Sequence, residues 1–182
     1  LLQISEVKDL NIFQVVFYKK SENKIDNIKI DNLNFPTTNS IIVSNKETKI
    51  LWSAPRTWLV ISSKNNIADI IKKDCGDKNF AITDISHSRA IVQIKGHKTK
   101  EVLKKGCPIN FNEFKKNSCA GSVFNSITIV VDCIDDEDDE INNKQCILIN
   151  LFRNESAFVN IFTCFFFAVS FSSNSIFSII AF

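Results

Sequence analysis

The residues of this sequence that could do the most demanding chemistry are its six cysteines and two histidines. A thiolate beside a histidine can act as a nucleophile, and the two residue types together can bind structural zinc. Zinc sites of that kind use cysteine pairs about two to four residues apart, and no two cysteines here lie that close. The even number permits disulfides, but we interpret the thiols as reduced, partly buried apolar groups. They are Cys75, Cys107, Cys119, Cys133, Cys146 and Cys164, and the histidines are His87 and His97.

The acidic, glycine and basic residues lack the patterns of a calcium-binding loop, a dinucleotide-binding loop and a nucleic-acid-binding surface. The acidic run Asp135–Glu140 lacks the glycine and the spaced carboxylates of an EF-hand loop, so we interpret it as a solvated loop, with docking to a basic partner as the alternative. The four glycines are isolated, which argues against a dinucleotide-binding loop. Lysines come as scattered pairs without interleaved aromatic residues, and we therefore expect no nucleic-acid binding.

Composition indicates a globular chain, because 45% of the 182 residues are hydrophobic and the net charge is only +2. We expect a cytoplasmic protein, since no basic stretch followed by an apolar run and a cleavage site indicates export. Residues 1–155 are predicted to form one domain, or two subdomains that share a core.

The elements that would position these residues are predicted from hydrophobic spacing, which indicates an α+β fold with mostly antiparallel sheets and short helices. Apolar residues at helical spacing predict a helix at 65–76, and a second, short helix is predicted at 98–105 with Val102 and Leu103 as its apolar residues. Residues 122–131 and 145–152 are interpreted as the two arms of a β-hairpin around the acidic loop. β-Branched and aromatic runs predict further strands at 12–18, 41–44, 50–52, 58–62, 80–86 and 88–95.

The ends of the two helices and the core between the later elements can also be predicted. Asn65 or Asn66 can cap the first helix and Gly76 can end it. Gly106 is expected to end the second helix in a left-handed conformation, and Pro108 prevents the helix from resuming. We expect a shared core of Val92, Ile94, Val102, Leu103 and the strand 127–131, with Ile91, Gln93 and Lys95 on a wetter face.

Residues 156–182 differ from the rest, because they carry no charge and contain eight of the sixteen phenylalanines. That length exceeds the roughly 20 residues needed to span a bilayer, but Asn160 and Asn174 would be costly in lipid. We interpret the segment as a tail that is not an integral part of the domain. It is either a poorly packed or frame-altered end or a membrane anchor.

Four sequence blocks follow one another between residues 33 and 124. Residues 33–62 contain Trp52, Pro55, Trp58 and Leu59; residues 83–96 contain the pattern Asp-x-Ser-x-x-Arg, formed by Asp84, Ser86 and Arg89; residues 102–111 contain Leu-x-x-Gly-Cys-Pro, with Gly106; and residues 114–124 start with Phe-x-x-Asn-Ser. Arg153 follows the last predicted strand. In this order the blocks resemble the gamma subunit family of heterotetrameric sarcosine oxidase, although that family has Gly where Asn117 stands here and a helix with tryptophans after the position of Arg153.

The resemblance covers about residues 5–153 and implies the fold of the N-terminal folate-binding domain of aminomethyltransferases. It implies a non-catalytic subunit of a complex that oxidises sarcosine to glycine and passes the one-carbon unit to tetrahydrofolate. The partners would be the alpha, beta and delta subunits. FAD, FMN, NAD, zinc and tetrahydrofolate would belong to those partners, and this chain would hold no catalytic, cofactor or metal residue.

The motif residues named above also have structural interpretations: Trp52 and Trp58 as core or interface anchors, Asp84 and Ser86 as backbone partners at a strand end, and Arg89 as a solvated strand residue. Two other functions stay open at this point. One is a free-standing folate-binding module of the aminomethyltransferase superfamily, and the other is a tail-anchored membrane protein. The candidate motif or interface residues are therefore Trp52, Pro55, Trp58, Asp84, Ser86, Arg89, Gly106 and Arg153.

Overall fold

The computed structural model describes residues 2–18, 25, 28–76, 79–124, 126–135, 146–152 and 178–179. The chain divides into two compact units. We call Asp9–His87 the five-stranded unit, and Leu1–Lys8 together with Ser88–Phe182 the six-stranded unit, after the sheet in each. The predicted α+β class with mostly antiparallel sheets and short helices is confirmed.

The five-stranded unit is built on an antiparallel sheet in the order β5-β6-β7-β2-β8. A short hairpin, β3–β4, and one helix, α1, complete it. Phe13, Val15 and Trp58 from the sheet and Ile67 and Ile71 from α1 share its core. The bounds are β2 Asn11–Phe17, β3 Lys29–Ile30, β4 Leu33–Asn34, β5 Ile42–Ser44, β6 Thr48–Ala54, β7 Thr57–Ser62, α1 Ile67–Cys75 and β8 Phe80–Asp84.

The helix α1 forms where apolar residues recur at helical spacing, and its buried residues are Ile67, Ile71 and Cys75. Both predicted ends are found in the structure, although neither has the usual cap geometry. Asn66 occupies the N-cap position but makes no side-chain cap bond. Gly76 does end the helix, with a φ of −67°, so the end there does not use a left-handed glycine.

The six-stranded unit contains a sheet in the order β10-β11-β12-β9-β1-β13, in which only the β1–β13 pair is parallel among the described strands. The predicted core is confirmed, because Val92, Ile94, Val102 and Leu103 are buried together with Ile129 and Val131. The bounds are β1 Gln3–Val7, β9 Arg89–Lys95, α2 Thr99–Lys104, β10 Cys119–Phe124, β11 Ile127–Asp135, β12 Cys146–Phe152 and β13 Ser178–Ile179.

Three predictions for this unit are wrong in detail. Residues 122–131 are not one arm, because β10 and β11 are separate strands joined by a turn in which Ser126 has a φ of 71°. Ile91 does not lie on a wet face, since its side chain is 2% exposed. Gly106 is not left-handed. Among the glycines that the structure describes, a positive φ is found at Gly96, where it is 134°, and not at Gly106.

The predicted acidic loop after Asp135 and most of the predicted tail, 156–182, lie outside the described residues. Within that tail, Ser178 and Ile179 pair with Gln3 and Ile4 of β1. Among the described residues there is no helix with the length and apolar character needed to cross a membrane. The separateness of the tail stays a prediction.

Candidate functional site

Three of the candidate residues meet in the β6–β7 hairpin of the five-stranded unit. Trp52 lies opposite Trp58, and Ala54 lies opposite Thr57, which leaves Pro55 and Arg56 as the turn. Proline fixes φ near −65°, and Arg56 has a φ of 60°. A proline followed by a residue of positive φ is the arrangement of a type II turn.

Arg56 fastens this turn to the end of β2. Its carbonyl accepts the Phe17 N–H at 2.9 Å, and its guanidinium donates to the Tyr18 carbonyl at 3.0 Å. The guanidinium carbon also lies 5.7 Å from the centre of the Phe17 ring, within the range of a cation–π contact. These contacts offset the cost of a positive φ at a residue that is not glycine.

Both tryptophans of the hairpin pack against the core of the five-stranded unit. Trp58 is 4% exposed, its ring centre lies 4.8 Å from that of Phe35, and its indole N–H donates to the Pro36 carbonyl at 2.8 Å. Trp52 is half-buried against the same core. The indole donor of Trp58 is thus used inside the chain.

Asp84 and Ser86 tie the end of β8 to β2. The Ser86 hydroxyl donates to the Asp84 carboxylate at 2.6 Å and accepts the Ile12 N–H at 2.9 Å. The Ser86 N–H also donates to Asp84, at 2.9 Å. These two bonds from Ser86 lower the pKa of Asp84. The pair therefore closes a local turn and anchors it on a neighbouring strand.

Arg89 and Gly106 lie in the six-stranded unit. Arg89 is the first residue of β9, where burial lowers the pKa of its half-buried guanidinium, so the side chain is only partly solvated. A methyl group on Gly106 would lie 2.7 Å from a ring carbon of Phe124, so this position requires glycine for close packing. Arg153 lies outside the described residues.

A polar cluster that the sequence did not reveal is centred on Asp31. Asp31 and Asn32 have φ values of 52° and 65° and form the two-residue turn between β3 and β4, as in a type I′ hairpin. The Asp31 carboxylate accepts bonds from Lys64 at 2.6 Å, Thr48 at 2.7 Å and Asn45 at 3.0 Å. The signal that could have revealed the turn is the Asp-Asn pair between two apolar residues, Ile30 and Leu33.

The charges of the Asp31 cluster are balanced within the cluster itself. Burial acts to raise the pKa of Asp31, but the hydrogen bonds from Lys64, Asn45 and Thr48 outweigh it and lower that pKa. The bond to Asp31 raises the pKa of Lys64. Thr48 in turn bonds Ser62 at 2.8 Å, and both side chains are buried. The cluster joins three loops of the five-stranded unit and gives the carboxylate three donors for its roughly four acceptor sites.

The four cysteines whose side chains the structure describes are buried and do not form disulfides. Burial raises the pKa of Cys75 to about 12, assisted by Asp74, and burial also raises the pKa of Cys107 against a hydrogen bond with Ser122. A thiol of raised pKa is a poor nucleophile and a poor metal ligand at neutral pH. Within the described ranges, no three His, Cys, Asp or Glu side chains lie close enough to hold a metal ion.

The profile of the sarcosine oxidase gamma subunit family matches residues 28–150, which is more than half of the chain. The chain belongs to this family. All four sequence blocks, from residue 33 to residue 124, lie inside the match, so the resemblance seen in the sequence is confirmed. Among curated proteins, none matches the sequence significantly.

Two solved structures show that the family fold is present. Heterotetrameric sarcosine oxidase from Corynebacterium sp. U-96, in complex with pyrrole 2-carboxylate, contains a chain that matches with a TM-score of 0.77 and 17% identity over 97% of this chain and 88% of that one. Glycine cleavage system aminomethyltransferase T from Bartonella henselae matches with a TM-score of 0.60 and 10% identity over 90% of this chain and 45% of that one. The predicted likeness to the aminomethyltransferase fold is thereby confirmed.

Proposed function

We propose that this chain is the non-catalytic gamma subunit of a heterotetrameric sarcosine oxidase, assembled with alpha, beta and delta subunits. In this proposal the complex demethylates sarcosine oxidatively to glycine in the cytoplasm and transfers the one-carbon unit to tetrahydrofolate. FAD, FMN, NAD, zinc and tetrahydrofolate are bound by the partner subunits. Family membership and the likeness to a chain of a heterotetrameric sarcosine oxidase support the assembly.

The observation that carries the structural role is that polar groups of the family motifs bond within the chain. Trp58 donates to Pro36, and Ser86 bridges Asp84 and Ile12. Gly106 is required by the Phe124 ring. A catalytic residue must present its reactive group to a substrate, whereas these groups are already used to hold strands and loops together.

The thiols support the same role and a reducing compartment. The pKa of Cys75 is raised to about 12, and that of Cys107 is also raised, so that both thiols are protonated at neutral pH. The cysteines that the structure describes are not joined in disulfides. Reduced, buried thiols are usual in cytoplasmic proteins.

A subunit-omission experiment tests this proposal. The alpha, beta and delta genes from the same genome are expressed with and without this chain, and sarcosine consumption is measured in both preparations and for the purified chain alone. We expect full activity with all four subunits, a large loss of active complex without this chain, and no activity or bound flavin for the chain alone. Equal activity and stability without the chain, or sarcosine oxidation by the chain alone, would overturn the proposal.

The purified chain also allows a test of the alternative function, a free-standing folate-binding module, which the aminomethyltransferase fold suggests. The isolated chain is titrated with tetrahydrofolate and binding is followed by calorimetry. We expect no heat of binding from the isolated chain. Saturable binding by this chain without its partners would support the module instead.

A further inference from the structure

One edge of the sheet in the six-stranded unit is formed by β10, Cys119–Phe124, which pairs with β11 on one side. Within the part of the chain that the structure describes, no strand lies on its other side. An edge strand of six residues offers a row of backbone N–H and C=O groups to which another strand can add.

The register shows which backbone groups face outward. Cys133 of β11 donates its N–H to the carbonyl of Ser118, just before β10 begins. Successive residues of an antiparallel strand direct these groups to alternate sides. Ala120 and Ser122 therefore face β11, while Gly121 and Val123 direct their N–H and C=O away from it.

The side chains of β10 leave this edge open. The strand has the sequence Cys-Ala-Gly-Ser-Val-Phe, without the lysine or proline that commonly protects a sheet edge. Val123 is 41% exposed, and a methyl group on Gly121 would meet no atom within 4 Å. The edges of the sheet in the five-stranded unit differ, because β5 has only three residues and β8 ends in the charged Asp84.

We propose that a β-strand of a partner subunit pairs with β10 in the assembled complex and extends the six-stranded sheet. The inference rests on the proposed function, because it needs a partner subunit. Exposed Lys115 and Lys116 precede β10, and one acid, Glu113, lies near them in sequence. We therefore expect the partner's strand to carry uncharged side chains where it lies beside Gly121 and Val123. At its end beside the two lysines we expect an acidic side chain.

Substitutions at Val123 test the pairing in the full chain co-expressed with the alpha, beta and delta subunits. Val123→Pro removes one outward N–H without breaking the ladder to β11, and Val123→Ala shortens the side chain but keeps that N–H. Val123→Lys places a charge on the edge. Thr128→Lys places the same charge on the exposed cross-strand neighbour of Val123, one strand in from the edge.

We expect Val123→Pro and Val123→Lys to lower the recovered complex at least about ten-fold, with Val123→Ala and Thr128→Lys within about two-fold of the unaltered chain. Thermal unfolding of each variant checks that it is folded. If Val123→Pro does not fold, Val123→Lys alone tests whether a partner strand pairs with β10. Failure of the unaltered chain to assemble would overturn both this inference and the proposed function. If all variants assemble equally well with the partner subunits, this inference alone is overturned. The same holds if the substitutions only abolish a dimer that the isolated chain forms with itself.

Discussion

Replacing Gly106 by alanine should destabilise the six-stranded unit through one identified contact. The added methyl carbon would lie 2.7, 2.9 and 3.0 Å from the Phe124 ring atoms Cε2, Cζ and Cδ2. Carbon atoms in favourable contact lie about 3.5–4.0 Å apart. Phe124 is 1% exposed and belongs to the same core as Val131 and Leu103, so its ring has little room to withdraw.

The expected magnitude follows from two opposing terms. Overpacking a full core costs about 1–3 kcal/mol, while alanine stabilises by roughly 0.4–1 kcal/mol because it restricts the unfolded chain. The net loss in the free energy of unfolding should be about 1–2 kcal/mol. With a urea dependence of about 2 kcal/mol per molar, in the middle of the usual range for small proteins, the midpoint should fall by about 0.5–1 M.

The unfolding assay must report on the six-stranded unit, which contains Gly106 and Phe124. Both tryptophans, Trp52 and Trp58, lie in the five-stranded unit, so their fluorescence does not report directly on the core around Gly106. Hydrogen exchange in peptides covering residues 102–131 reads the affected core in urea. Gly121→Ala is the matched control, because its methyl group meets no atom within 4 Å; only the effect on the unfolded chain remains, and it should stabilise by about 0.4–1 kcal/mol.

A double variant checks the mechanism. Phe124→Leu removes part of the ring that the new methyl group would strike, so its effect and that of Gly106→Ala should be less than additive by more than about 0.5 kcal/mol. A Gly106→Ala chain as stable as the Gly121→Ala chain would refute the reasoning. Full additivity of the two changes would show that the contact with Phe124 is not the cause.

Two further changes test the contacts of the five-stranded unit. Trp58→Phe leaves the buried Pro36 carbonyl without its 2.8 Å donor and should cost about 1–3 kcal/mol, measured by circular dichroism in urea, whereas a loss below 0.5 kcal/mol would count against the bond. Asp31→Asn should cost about 1–3 kcal/mol near neutral pH, with the exposed Glu47→Gln as a near-neutral control. Because the folded-state pKa of Asp31 is lowered and that of Lys64 is raised, the difference between the original chain and Asp31→Asn should be full between about pH 4 and 10. It should shrink as the pH falls through the lowered pKa of Asp31 or rises through the raised pKa of Lys64, and a difference that stays constant from pH 2 to 8 would contradict this assignment.

The features that sequence predicted best are those set by local pattern. The strands β2, β7 and β9 contain β-branched and aromatic runs, and α1 repeats isoleucine at helical spacing. The position of Asp84 and Ser86 at a strand end was also a local signal, since two of their bonds join residues only two apart. Such signals do not depend on the rest of the fold.

The features that sequence missed depend on residues far apart in the chain. Gly106 was interpreted through helix-ending rules, but its reason is the ring of Phe124, eighteen residues later. Asp31 is bonded by Asn45 and Thr48 from the turn before β6 and by Lys64 after β7, two segments that lie far from it in the sequence. The division between β10 and β11 was hidden because apolar residues continue on both sides of the turn.

The central claim is that this chain is one subunit of a four-subunit sarcosine oxidase, and native mass spectrometry tests it most directly. A tag on this chain is used to purify whatever assembles when it is co-expressed with the alpha, beta and delta subunits of the same genome. We expect one dominant species whose mass equals the sum of the four chains and their bound cofactors, with one copy of this chain. Recovery of this chain alone, or of a complete alpha–beta–delta complex without it, would contradict the account.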